Sequence, residues 1–258
     1  MSDTKRVVSQ HFGNVASNYT VSSIHARGED LGWLVEAVTL TGNERVLDVG
    51  TGAGHAAFAF APHVAAVEGI DITPPMLEQA EHSAGERGLD NVAFSLGDVE
   101  DIPRPDASFD IVVSRWCAHH YADVRRAAAE ISRVLKPGGT FLLIDSVVPN
   151  DARLDTVINT LETLRDTGHV RNYAIHEWLD FLERVNLHAE VLHEWALRLD
   201  GEDWVARMDT PPVYVEAIRA LLAESDDGLR AVLGITDEDD PSGWGFDLPA
   251  AFFKAIKM

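Results

Sequence analysis

A chain of 258 residues with 46% hydrophobic content can bury a sizeable core as one α/β domain, or as one domain with a cap. Its net charge of −21, from 42 acidic and 21 basic residues, disfavours nucleic acid and anionic membranes as partners. It has no run of about 18 apolar residues, no leader-like N-terminus and one cysteine, Cys117. The expectation is therefore a cytoplasmic protein without a membrane span, an internal disulfide or a multi-cysteine metal site.

Residues 3 to about 40 read as helical. Val7, Val8, Phe12, Val15, Ala16 and Tyr19 recur at helical spacing, as do Leu31, Leu34, Val35 and Val38, with interruptions at Gly13 and Gly28. From 45 to 148 strands alternate with helices. Strands are expected at Arg45–Val49, Val64–Ile70, Val92–Leu96, Asp110–Ser114 and Thr140–Val147, and helices at about 54–61, 75–87 and 122–135. Pro137-Gly138-Gly139 is turn chemistry ahead of the last of these strands. Repeated βα units imply a doubly wound parallel sheet with helices on both faces. After Pro149 the rhythm changes. Helices are expected at 151–166, with Leu154, Val157, Ile158, Leu161 and Leu164 on one face, and at 174–185. A strand at Ala189–Leu199, helices at 203–208 and 212–223, and a final strand within Trp244–Lys257 complete the chain. We read one domain: a lid over 1–40, a core over 41–149, and a cap or insertion with the final strands over 150–258.

The segment Val46-Leu47-Asp48-Val49-Gly50-Thr51-Gly52-Ala53-Gly54-His55 carries the most chemistry. It reads as a buried strand, a glycine turn and a helix start. That is how an α/β sheet builds a nucleotide-type pocket at a strand's carboxyl end. The spacing is G-x-G-x-G, and His55 stands where a dinucleotide fingerprint has its third glycine. Asp71 ends the second strand, 21 positions after Gly50, where a carboxylate accepts ribose hydroxyls; its alternative is to cap the helix at Pro74-Pro75. Asp98 follows the third strand, placed to accept an adenine amine, with Val99 to pack on the ring; its alternative is a turn residue. Asp48 reads as an acceptor that orients the N–H groups of the glycine loop or faces a cationic ligand.

Taken together, V-L-D-V-G-T-G-A-G, I-D-I-T-P-P-M-L, G-D-V-E-D-I-P, S-F-D-I-V-V-S-R and R-V-L-K-P-G-G-T resemble the class I S-adenosylmethionine-dependent methyltransferases. The likeness is greatest to the small-molecule branch that includes the ubiquinone/menaquinone C-methyltransferases. It covers residues 45–148, and the opening segment from Gln10-His11-Phe12 to Tyr19 is similar to that branch's lid helix. The resemblance implies a seven-stranded, mostly parallel Rossmann-like sheet whose last strand is antiparallel. It implies S-adenosyl-L-methionine as cofactor, S-adenosyl-L-homocysteine as product and a small organic acceptor. It places Gly50, Gly52 and Gly54 under the methionine part, Asp71 on the ribose, and Asp98 and Val99 at the adenine. Thr51, Ile72, Asp48 and Tyr19 are counted with the cofactor contacts. Arg115 replaces the commoner small polar residue at the end of the fourth strand, facing cofactor or acceptor.

The acceptor pocket is expected beside Arg115-Trp116-Cys117-Ala118-His119-His120-Tyr121. There His119 and His120 are the candidate bases, and their alternative is to cap the helix near Asp123. Two adjacent histidines without a spaced third ligand do not suggest a metal. His169, Arg171, Tyr19 and His25 are further candidates to reach the pocket. Cys117 reads as a small core residue, and the lack of other thiols argues against a thiol-dependent arsenite methyltransferase. Trp178, Phe181, Trp195, Trp204 and Tyr214 line or build the cap, with core preferred for most. The alternatives are a cofactor-binding protein without transfer, cyclase-like or a sensor, and a nicotinamide-dependent oxidoreductase. The acceptor atom and the choice between monomer and homodimer are not legible in the sequence.

Overall fold

The computed structural model describes residues 2–21, 28–237, 239–240 and 243–258; the side chains of Asn14 and of 16–21 lie outside that description. Tyr19, as a side chain, and His25, entirely, are thus expectations outside the described residues.

Seven strands form one sheet in the order β3-β2-β1-β4-β5-β7-β6. They are β1 (Arg45–Val49), β2 (Ala66–Asp71), β3 (Val92–Leu96), β4 (Phe109–Arg115), β5 (Leu135–Ser146), β6 (Leu187–Asp200) and β7 (Gly245–Lys257). The first five run parallel, and β7 lies antiparallel between β5 and β6. The central strands are apolar on both faces: Val46, Leu47, Val49, Val112, Val113, Leu142 and Leu143 are all buried. That continuous apolar run is what a sheet covered on both sides requires. The chain leaves β1 toward β2 and β3 and returns to β4 on the other side. A crevice opens at the carboxyl ends of β1 and β4, where the winding reverses.

The helices follow their sequence signals closely. Helix α1 spans Asp3–Val21 and α2 Asp30–Glu36; α3 (His55–Phe60) and α4 (Pro74–Arg87) flank β2. Helix α5 (Val124–Val134) turns Val124, Ala127, Ala128, Ile131 and Val134 inward at helical spacing. Asp123 caps it by accepting from Arg125 N and Arg126 N at 3.1 Å. Asp151 does the same for α6 (Ala152–Arg165). Helix α7 (Ile175–Glu183) follows, and α8 (Gly201–Arg207), α9 (Pro212–Ala223) and α10 (Asp227–Val232) are inserted between β6 and β7. The insertion has its own apolar cluster, in which Trp204, Ile218, Leu222 and Leu229 meet Ile158 and Leu161 of α6. No described helix is long and apolar enough to cross a membrane.

Two expectations shift. Helix α10 carries no strong period in the sequence and was not anticipated. Strand β5 starts at Leu135, not Thr140. Leu135 already pairs with Phe109, and Lys136-Pro137-Gly138-Gly139 bulges out before pairing resumes at Ile111 and Thr140. Gly138 takes φ +77, so the turn chemistry is real but sits inside the strand.

A carboxylate ties the start of α2 to the end of β4. Asp30, buried at the start of α2, accepts from Arg115 Nε at 2.7 Å, Arg115 Nη2 at 2.9 Å and Trp116 Nε1 at 2.9 Å. Truncating it leaves a buried guanidinium without its counter-ion. We expect Asp30→Leu to lose about 3–5 kcal/mol of stability, seen as a lower urea midpoint at unchanged slope; a shift under 1 kcal/mol would mean that the contact is dispensable.

Candidate active site

The glycine turn lies in the crevice, and its three glycines answer to three different constraints. Gly50 has φ +67, and a Cβ there would overlap Cys117 Sγ. Gly54 has φ +87, and its Cβ would stand 2.6 Å from the Phe58 ring and 3.0 Å from Phe94. At Gly52, φ +52, a Cβ would meet nothing within 4 Å, because that position faces the open pocket. Gly54 is thus constrained by helix packing, while Gly50 and Gly52 line the pocket.

Asp48 is buried under the turn. Its Oδ2 accepts from Thr51 Oγ1 at 2.6 Å and from Ala57 N at 3.1 Å, so it braces the turn and α3 and does not reach the glycine N–H groups. Burial outweighs both bonds and lifts its pKa to about 6. Thr51 is spent on this brace. Asp71 accepts from Gly52 N and Thr73 N, both at 2.9 Å, fixing the turn and the entry to α4 at once. Burial raises its pKa against those bonds. Asp71, Ile72 and Val99 line the pocket, as does His55.

Asp98 also lines it, but its Oδ2 is engaged by Lys5 Nζ at 2.7 Å, and Lys5 reaches Glu100 Oε2 at 2.6 Å. Burial works against the Lys5 ammonium, yet its hydrogen bonds to the two carboxylates win and its pKa rises. The structure adds what the sequence did not convey: α1 brings its own cation to that carboxylate. Val8 and Phe12 of α1 roof the same space. Arg115 lines the pocket with its guanidinium held by Asp30, so it does not project freely toward a ligand. Cys117 is half-buried, packs against the main core and also lines the pocket, its thiol pushed up by burial. The space at this pocket, open solvent included, comes to about 880 Å³.

A second pocket adjoins the first across a wall shared by Phe12, Trp116 and His120. The Phe12 ring meets His120 edge-on at 4.9 Å. Trp116 sits at φ +53, a left-handed conformation costly for a bulky residue, held by its indole bond to Asp30 and by its N–H to Ile144 O at 2.8 Å. Behind the wall, His119 Nδ1 lies 2.6 Å from Asp145 Oδ1. Asp145 also accepts from Ala118 N at 2.6 Å, His119 N at 3.1 Å and Ser146 N at 2.8 Å. Burial works against charge on both members of the pair, but their mutual attraction prevails: the His119 pKa rises and that of Asp145 falls. With Nδ1 given to Asp145, Nε2 is the remaining basic atom of His119. His120 is the opposite case. Burial, then the neighbouring His119 ring 4.1 Å away, drop its pKa to about 4, so it is a neutral wall. Its Nε2, 3.8 Å from Asp166 Oδ2, forms no ion pair in that state.

Neither histidine caps α5, since Asp123 does. His169 is buried behind His119, its Nε2 3.0 Å from Asn159 Oδ1, and does not line the first pocket. Arg171 pairs with Asp155 at 2.8 Å and turns away. Trp178 and Phe181 are core under α7, Trp195 packs on Trp33 and Trp116, and Tyr214 is exposed. Trp204 belongs to the cap core and also lines the second pocket. Among the described residues no group of three or more His, Cys, Asp or Glu is arranged to hold a metal ion.

Residues 47–143 match the family model described as "Methyltransferase domain". The chain is 38% identical to YcgJ, an uncharacterized methyltransferase of Bacillus subtilis (strain 168), over 95% of this chain and 97% of that protein. The crystal structure of YcgJ superposes with a TM-score of 0.86 over 89% of this chain and 98% of that one. BH2331 from Bacillus halodurans C-125, 34% identical, gives 0.85 over 89% and 99%. A demethylmenaquinone methyltransferase of Deinococcus radiodurans is 35% identical over 57% of this chain and 63% of its own.

The glycine analysis separates two substitutions. Gly54→Val must displace aromatic rings as well as strain the backbone, and is expected to lose several kcal/mol more stability than Gly52→Val, whose cost is backbone strain of about 1–2 kcal/mol. Equal midpoints in urea would refute the assignment of Gly54 to packing.

Proposed function

The chain belongs to the class I S-adenosylmethionine-dependent methyltransferases, and we propose that it methylates a small organic acceptor in the pocket behind Phe12, Trp116 and His120. The observation that carries this is the pair of adjoining pockets, one at the glycine turn and one at the His119–Asp145 pair, divided only by side chains.

The residues of the first pocket fit S-adenosylmethionine. The missing Cβ of Gly52 lets backbone approach the ligand, Asp71 keeps lone pairs for ribose hydroxyls, and Ile72 and Val99 offer apolar surface to a base. When bound, the cofactor supplies an activated methyl group on a sulfonium. What the chain adds is alignment and exclusion of water. Phe12 and α1 roof the site, Trp116 and His120 shape the passage, and His119 Nε2 takes the proton of a hydroxyl or enol-like acceptor while Asp145 holds the imidazole and stabilises its charge. The likeness to a demethylmenaquinone methyltransferase supports a small-molecule acceptor. The acidic composition supports a partner other than nucleic acid, and the single cysteine fits a cytoplasmic enzyme.

Calorimetry with S-adenosylmethionine and S-adenosylhomocysteine tests the reading; folded protein that binds neither would overturn it. Asp71→Ala should weaken binding by about 1–3 kcal/mol, and Gly52→Val should abolish it in folded protein. Transfer to a hydroxylated acceptor should rise with pH as His119 loses its proton, with an inflection above 6.5. Asp145, Glu162 and Asp166 all raise that inflection. Asp145→Asn should move it to lower pH and depress the plateau; an unchanged profile would remove Asp145 from the mechanism.

A further inference from the structure

The cation that α1 brings into the first pocket is held in a fixed place on its wall. Lys5 Nζ lies 2.7 Å from Asp98 Oδ2 and 2.6 Å from Glu100 Oε2, and all three residues line the pocket. Both carboxylates are anchored in the turn after β3. Asp98 Oδ1 accepts from Glu100 N at 2.9 Å, and Asp98 O accepts from Asp101 N at 3.0 Å. Glu100 Oε1 accepts from Asp123 N, at the start of α5, at 2.9 Å. The helix that carries Lys5 is anchored as well: Val8 is buried, and Ser9 Oγ donates to Ile72 O at 3.0 Å. The Lys5 side chain is only 13% exposed, so solvent screens its charge less than that of a surface lysine.

An ammonium has three N–H donors. Asp98 and Glu100 take two, and among the described residues no further acceptor meets the third. Asp98 Oδ2 keeps a second lone pair. The wall thus presents an acceptor and a donor side by side. An adenine carries the complement along one edge, where the exocyclic amine donates and the adjacent ring nitrogen, N1, accepts. Resting on the proposed function, we infer that Lys5 reads the adenine of the cofactor together with Asp98: the carboxylate accepts from the amine, and the ammonium donates to N1. Helix α1 is then part of the recognition site as well as its roof. Hypoxanthine, with donor and acceptor exchanged, would set its carbonyl against Asp98 and its N1–H against Lys5, and is rejected.

The test is calorimetry of the whole protein with S-adenosylhomocysteine and with S-1-deazaadenosylhomocysteine, which keeps the amine and replaces N1 by C–H. The unaltered protein should bind the deaza analogue about tenfold more weakly, the scale of one hydrogen bond to a charged group. Lys5→Met should lower affinity for S-adenosylhomocysteine by that same factor and leave affinity for the analogue unchanged within about threefold, so that the preference disappears. A substitution that only loosened α1 would weaken both ligands alike. Equal binding of the two ligands by the unaltered protein, tighter binding of S-adenosylhomocysteine by Lys5→Met, or a preference that survives Lys5→Met, whether binding is unchanged or equally weakened, would overturn the inference and leave the proposed function standing. Failure of the folded, unaltered protein to bind S-adenosylhomocysteine would instead strike the proposed function itself, and this inference with it.

Discussion

The carboxylate of Asp30 sets the geometry on which both pockets depend. It accepts from two nitrogens of Arg115 and from the Trp116 indole, and so fastens α2 to the end of β4. Trp116 is held there in a backbone conformation that it would not adopt unaided. Because Trp116 is one of three side chains in the wall between the pockets, the position of that wall is inherited from a bond made outside it. The strain is local, and the buried ion pair that sustains it links the N-terminal segment to the sheet.

Charges are handled differently on the two sides of the wall. At the glycine turn, carboxylates are used as backbone acceptors: Asp48 braces Thr51 and Ala57, Asp71 braces Gly52 and Thr73, and the turn is rigid before any ligand arrives. Behind the wall, carboxylates face imidazoles and guanidiniums, and protonation equilibria move in opposite directions within a few ångströms. His119 rises because Asp145 is beside it, and His120 falls because it is buried next to His119. Two adjacent residues in sequence thus receive different roles, one as a basic atom and one as a neutral wall.

The cofactor half was legible because its constraints are local. A strand, a glycine turn and a helix follow one another within a dozen residues, and Asp71 marks the end of the next strand. The same local signal marks Asp145, a lone carboxylate near the end of the apolar run Phe141-Leu142-Leu143-Ile144-Asp145-Ser146. What sequence could not convey was pairing over long separations. Lys5 meets Asp98 and Asp30 meets Arg115 across more than 80 residues, and Arg165 and Arg207 converge from two helices of the C-terminal half. The packing constraint on Gly54 is hidden for a related reason: its neighbour Phe94 comes from β3, and only the folded sheet brings that ring against the turn.

Helix α1 covers the first pocket with Lys5, Val8 and Phe12, and Phe12 also reaches the second. One element therefore walls both spaces, and any displacement of α1 would change the enclosure of the two pockets together.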